Sequence, residues 1–162
     1  MKENWETIIN HALGSEGGYV NDPIDPGGET NWGISKKAYP KVNIKTLTKQ
    51  QAIDIYKKDY WNVIKGDELP SGVDLVVFDA AINSGNKQSV KWLQRSVGVT
   101  DDGVIGQATL TAVKKADPQD VVNKTTQQRL QFMKSLDTWY RYGRGWTNRI
   151  VGLQVTAKGM IK

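Results

Sequence analysis

Four carboxylates, a threonine and two aromatic rings crowd into nineteen residues, Glu16 to Ile34 (EGGYVNDPIDPGGETNWGI). The carboxylates of interest are Glu16, Asp25 and Glu29; with them are Thr30, Tyr19 and Trp32. A carboxylic acid that donates a proton, opposed by a group that activates or orients water, is the equipment for cleaving a glycosidic bond. Five glycines and two prolines punctuate the same stretch. Such composition usually marks a surface loop, and here it reads as a loop that holds an acid and a water-positioning group across a sugar bond. Plainer roles compete. Glu16 could be a solvated helix-end residue. Asp25 opens the turn Asp25-Pro26-Gly27-Gly28 and could cap it through its own side chain. Thr30 could be a strand residue only.

The flanking elements must place these groups. Trp5, Ile8, Ile9, Ala12 and Leu13 recur at helical spacing, so Glu3 to Leu13 reads as a helix with one apolar stripe. A helix running through Ser15 puts Glu16 at its C-terminal end. There the dipole disfavours negative charge and raises a carboxyl pKa, as a general acid near neutral pH requires. Tyr19-Val20 and Thr30 to Ile34 are expected to pair as a small antiparallel sheet. Ser35 to Tyr39 reads as one helical turn before Pro40. The next helix opens at Leu47-Thr48, with Thr48 as N-cap, and runs to about Trp61 with Ala52, Ile55 and Tyr56 inward. Ser71 to Asn83 is the most apolar run and reads as a buried central helix stopped by Ser84-Gly85. Asp74 and Asp79 inside it need partners. Asn83, at its end, is a candidate sugar ligand or a helix cap.

Beyond it, helices are expected over Lys87 to Val97, from near Gly106, and from Asp117-Pro118. The last of these is expected to carry Phe132, Leu136 and Tyr140 inward. Tyr142-Gly143-Arg144-Gly145-Trp146 reads as an interruption before a final helix from Thr147 to about Lys158. The fold class is mainly α (α+β), with one small antiparallel sheet. The chain divides into a region over 1–86 and a helical region over 87–162.

Composition removes other chemistries. There is no cysteine among the 162 residues, which excludes disulfides, thiolate chemistry and Cys-ligated zinc. The lone histidine, His11, argues against a His-based metal site and against most Ser or Cys triads. Asp101-Asp102-Gly103 lacks the ligand spacing of a calcium-binding EF-hand. No cofactor is implied. No apolar run is long enough to span a membrane, and the first residues lack the apolar core of a signal peptide. The expectation is a protein made in the cytoplasm and moved outward by other machinery. The formal charge of +5 is uneven. From Lys114 onward ten Lys or Arg face three Asp, so the C-terminal third is +7 and the remainder −2. That asymmetry fits an anionic polymer such as bacterial wall, a membrane surface or nucleic acid, or else a solvated helix face. Nucleic acid is not the expected partner, because no reading motif accompanies the charge. Six tryptophans supply rings on which sugars could stack.

The opening Glu16-Gly17-Gly18-Tyr19, the Asp25-Pro26-Gly27-Gly28 turn and the close Thr30-Asn31-Trp32-Gly33-Ile34 together resemble the glycoside hydrolase 108 family. These are phage-type N-acetylmuramidases, often described as secretion activators, within the lysozyme-like superfamily. The segment SVKWLQRSVGVTDDGVIGQATLTAV resembles short helix-loop-helix repeats that bind wall sugars, so the likeness covers nearly the whole chain. It implies a lysozyme-like helical fold with the small sheet beside an active-site cleft, a muramidase region over 1–86 and a peptidoglycan-binding region over 87–162. It implies cleavage of the β-1,4 bond between N-acetylmuramic acid and N-acetylglucosamine, with Glu16 as proton donor. In the broader phage lysozymes a Glu at a helix end is followed by an Asp and then a Thr, and the resemblance puts those positions on Glu16, Asp25 and Thr30, although the Asp25–Thr30 spacing is one residue shorter than in the usual phage lysozyme pattern. Tyr19, Trp32 and Asn83 are the candidates to line the cleft. The partner is the glycan strand of peptidoglycan, with a holin or secretion machinery for export. Two alternatives remain: a lytic transglycosylase, which keeps the acid and needs no water, and a non-catalytic wall-binding or secretion-accessory protein.

Overall fold

The structure, a computed structural model, describes residues 1–15, 18–24 and 27–161. Among them are seven α-helices and one two-stranded antiparallel sheet, an α-dominated, lysozyme-like α+β architecture. The chain forms two compact units. One is Asn4–Asp59; the other joins Met1–Glu3 to Tyr60–Lys162.

The first unit starts with α1 (Trp5–Ser15). Ile8, Ile9 and Leu13 are buried along the stripe that their spacing predicts, while Trp5 and Ala12 sit half-buried at its edges. Strand β1 (Thr30–Asn31) turns back on β2 (Ile34–Ser35) with Thr30 opposite Ser35 and Asn31 opposite Ile34. The expected Tyr19-Val20 strand reduces to one bridge, Val20 to Thr30. Helix α2 (Lys49–Tyr56) begins with a full capping box. The Thr48 hydroxyl accepts from the Gln51 amide and the Gln51 side chain accepts from the Thr48 amide. It stops being α at Tyr56, and a wide π turn, Lys57–Trp61, completes the run expected to be one helix.

In the second unit, α3 (Val73–Ser84) is the buried central helix. Val73, Leu75, Val76, Val77, Phe78, Ala80 and Ala81 are all buried. A helix apolar on every side has no solvent face and must be surrounded. Around it pack α4 (Asn86–Ser96), α6 (Pro118–Lys134) and α7 (Trp139–Met160), with the short α5 (Gln107–Lys115) following α4. The Trp61 and Phe78 rings meet edge to face, with centroids 5.7 Å apart. Gly72, at φ +89°, begins α3 where a Cβ would lie 2.5 Å from the Ala157 carbonyl of α7, so only glycine permits the approach.

The two aspartates of α3 find partners. Asp74, fully buried, accepts from the Gly72 and Leu75 amides and from the Met1 ammonium at 2.8–2.9 Å. Asp79 accepts from Arg129 of α6 at 2.6 Å and from Arg149 of α7 at 3.2 Å.

The C-terminal helices differ from expectation. Tyr142 to Trp146 does not interrupt: α7 runs unbroken through it, and the chain turns earlier, between Lys134 and Trp139. Gly143 is there for space, since a Cβ would fall 2.6 Å from the Trp139 indole one turn before it. Moving the turn also changes which side chains face inward. Phe132, Leu136 and Tyr140, expected in the core, are 43%, 38% and 88% exposed.

Arg129 is only 1% exposed, so replacing it leaves Asp79 with the exposed Arg149 alone. Arg129→Met is expected to lower unfolding stability by about 3 kcal/mol, measured by urea denaturation. Adding Asp79→Asn should recover part of that loss, and a neutral single variant would contradict the pairing.

Candidate active site

The described part of the Glu16–Ile34 stretch is built around β1. Val20 and Thr30 exchange both backbone hydrogen bonds, at 2.8 and 2.7 Å. Thr30 also pairs with Ser35 on its other side. Tyr19, Thr30 and Trp32 are thus gathered on one small framework within the first unit. The Tyr19 hydroxyl donates to Glu29 Oε2 at 2.6 Å. That hydrogen bond, then lost hydration, then the carboxylate's charge raise the phenol above its ordinary pKa, so it remains a donor through neutral pH. Two catalytic candidates, Glu16 and Asp25, lie outside the described residues. Helix α1 reaches Ser15, immediately before the first of them in the chain.

The β1–β2 turn carries the most unusual backbone here. Trp32 and Gly33 have φ of 54° and 78°. Positive φ at both central residues is the pattern of a type I′ hairpin, which normally recruits Asn-Gly or Gly-Gly. A bulky ring in that conformation is strained, and strained residues persist only where their surroundings hold them. Two side chains do so. The buried Asn31 amide donates to the Ile44 carbonyl at 3.0 Å and the Leu47 carbonyl at 3.3 Å. The Tyr56 hydroxyl, rising from α2, donates to the Trp32 carbonyl at 2.9 Å. Sequence reasoning missed both roles. Tyr56 was legible only as a core position, yet a buried tyrosine needs a partner for its hydroxyl, and that requirement was the available signal.

Asn83 belongs to the second unit, on the last turn of α3. With its amide oxygen turned toward the guanidinium groups, it accepts from Arg129 Nη2 and Arg149 Nη2 at 2.7 Å and from Arg149 Nη1 at 3.1 Å. It therefore joins Asp79, one turn earlier, in a cluster of one carboxylate, one amide and two arginines, with net charge +1. Burial lowers the Arg129 pKa and the Asp79 charge opposes that shift. Asn83 is exposed and Arg149 is half exposed, so the cluster has one open edge. A separate groove of about 550 Å³, lined by Trp5, Glu6, Ile9, Asn10, Lys49, Gln50 and Ile53, contains none of the candidate site residues.

The fold is α-dominated and lysozyme-like, with a short strained hairpin in the first unit. Comparison with known proteins makes the assignment specific. The family model described as glycosyl hydrolase 108 matches residues 9–85, and one described as a predicted peptidoglycan domain matches residues 88–151. The solved structure of Brucella abortus SagA is similar over 99% of this chain and 97% of its own, at 42% identity and a TM-score of 0.89. No curated protein matches. The chain belongs to the glycosyl hydrolase 108 family. Membership, with the second domain, supports a peptidoglycan-hydrolase-like role at the cell wall, with peptidoglycan as partner. Among the described residues no helix is long and apolar enough to cross a membrane.

The strain at Trp32 gives a test independent of activity. Glycine adopts positive φ freely and alanine does not. Trp32→Gly is expected to be more stable than Trp32→Ala by about 1 kcal/mol, measured by chemical denaturation. Equal stabilities would mean that the turn relaxes and stores no strain.

Proposed function

We propose that the protein hydrolyses the β-1,4 bond between N-acetylmuramic acid and N-acetylglucosamine in peptidoglycan. Glu16 is the general acid. It gives its proton to the glycosidic oxygen as the bond to the muramic anomeric carbon breaks, and the leaving strand departs as an alcohol. Positive charge then spreads over the anomeric carbon and ring oxygen. Asp25 steadies that charge or takes a proton from the attacking water, and Thr30 orients the water. A hydroxyl ends on the anomeric carbon, so one water is consumed for each bond cut. Tyr19 and Trp32 offer ring faces to the sugars, and Asn83 offers its amide. Residues 1–86 carry the chemistry and 87–162 hold the wall.

The family match over residues 9–85 carries this reading, because it spans all six of these residues. The backbone supports it. A hairpin pinned by Asn31 and Tyr56 is a rigid frame for Thr30 and Trp32, and a fixed frame is what water positioning demands. Water-directed groups also favour hydrolysis over transglycosylation, in which a hydroxyl of the muramic residue itself attacks.

Glu16→Gln is expected to fold normally and lose at least about 100-fold in the rate of peptidoglycan cleavage, the usual worth of a positioned proton donor. Turbidity loss of purified sacculi measures it, and a near-normal rate would overturn the assignment. Asp25→Asn should slow turnover strongly at an unchanged melting temperature. A variant that mainly unfolds would show that Asp25 caps its turn instead.

A further inference from the structure

The first turns of α7, Trp139-Tyr140-Arg141-Tyr142-Gly143-Arg144-Gly145-Trp146, present rings and guanidinium groups together. Trp139, Tyr142 and Trp146 are spaced three and four apart, so they share one flank of the helix. The Tyr142 and Trp146 rings lie nearly parallel, 26° apart with centroids at 5.6 Å. The Trp139 ring follows at 6.2 Å from Trp146, resting against Gly143. The result is a contiguous aromatic ribbon that continues into the buried Ile150, with Tyr142 at its exposed edge. Tyr142 is 45% exposed, and both tryptophans keep part of their surface open. Contiguous exposed rings on a folded chain mark a contact surface more often than a packing remainder.

Charge runs beside the rings. The Arg141 guanidinium sits 5.5 Å from the Tyr142 ring and the Lys134 ammonium 5.9 Å from the Trp139 ring. None of the described carboxylates forms an ion pair with Lys134, Arg141 or Arg144. One turn beyond Trp146 the same flank reaches Arg149, whose guanidinium is shared between Asp79 and Asn83. From Trp139 to Arg149 the flank spans about 15 Å at 1.5 Å per residue.

We propose that this flank of α7 is a track for a peptidoglycan glycan strand, ending at the Asn83–Arg149 cluster. The proposal rests on peptidoglycan being the substrate. Pyranose rings present C–H faces that lie flat on indole and phenol rings, and the peptide stems carry carboxylates that guanidinium groups bind in pairs. Rings bordered by Arg141 and Lys134 and ending at Arg149 match a polymer of sugars bearing acidic branches. A lipid surface fits less well: the rings are bordered by Arg141 and Lys134 rather than by exposed aliphatic side chains, and the track ends in a hydrogen-bonding cluster that acyl chains cannot use.

The test is co-sedimentation of the full chain with purified sacculi, using Glu16→Gln so that the polymer stays intact. Adding Tyr142→Ala should weaken binding about tenfold at an unchanged melting temperature, while Tyr142→Phe retains it. Arg141→Ala, which removes the exposed guanidinium beside the Tyr142 ring, should also weaken binding, and its effect should shrink as salt rises. Binding that survives both alanine changes within about twofold overturns the track, as does a parent chain that does not sediment with sacculi. Sedimentation with phosphatidylglycerol vesicles but not with sacculi makes the flank a membrane contact and overturns it too. Muropeptide release by the chain with Glu16 intact separates this proposal from the enzymatic one. Release with Tyr142-independent binding removes only the track; Tyr142-dependent binding without release removes only the hydrolase.

Discussion

The second unit depends on a carboxylate placed in its most apolar helix. Helix α3 is buried on nearly every side, and Asp79 on it is only 15% exposed. A charge in that position is tolerated only if it is paired and hydrogen-bonded. Arg129 comes from α6 and Arg149 from α7, so satisfying one carboxylate fixes two further helices against α3. Asn83, one turn along, accepts from both guanidinium groups. The pair does not have to add net stability to matter. Its geometry sets the rotation of α6 and α7 about α3, which burial of aliphatic side chains alone specifies loosely.

That rotation decides what α7 shows to solvent. Trp139 and Trp146 continue the buried stripe of Ile150, Leu153 and Ala157 toward the start of α7 and stay half-buried, while Tyr142 at the edge of that stripe is exposed. In the first unit an equivalent role falls to neutral hydrogen bonds. The Asn31 amide and the Tyr56 hydroxyl hold the β1–β2 turn, and Trp32 stays in a backbone region it would otherwise leave. Each unit therefore uses a few satisfied buried polar groups to hold exposed aromatic surface in place.

Periodic elements were legible in the sequence because burial writes itself as spacing. The α1 stripe, the Thr48 cap, the apolar α3 and the Asp117-Pro118 start of α6 all follow from local rules. Tyr142 to Trp146 misled for a physical reason. Glycine in a helix normally signals a break, but Gly143 makes room for Trp139, a contact within one helix that propensity does not register. A small antiparallel sheet was legible, but its pairing was not: Thr30 to Ile34 reads as one strand, whereas the chain turns within it at Trp32-Gly33, and two-residue strands leave no alternation to read. Of the candidate site residues, Tyr19, Thr30 and Trp32 lie on one small framework. Asn83 was legible only as a helix end, because its two arginine partners lie 46 and 66 residues further along the chain.

The central claim is that water, rather than an internal sugar hydroxyl, completes the cleavage. Mass analysis of muropeptides released from purified peptidoglycan tests it most directly. Hydrolysis at the muramic bond predicts products ending in reducing N-acetylmuramic acid, each heavier by one water than the corresponding anhydro form. Products ending in 1,6-anhydromuramic acid, or in reducing N-acetylglucosamine, would contradict it.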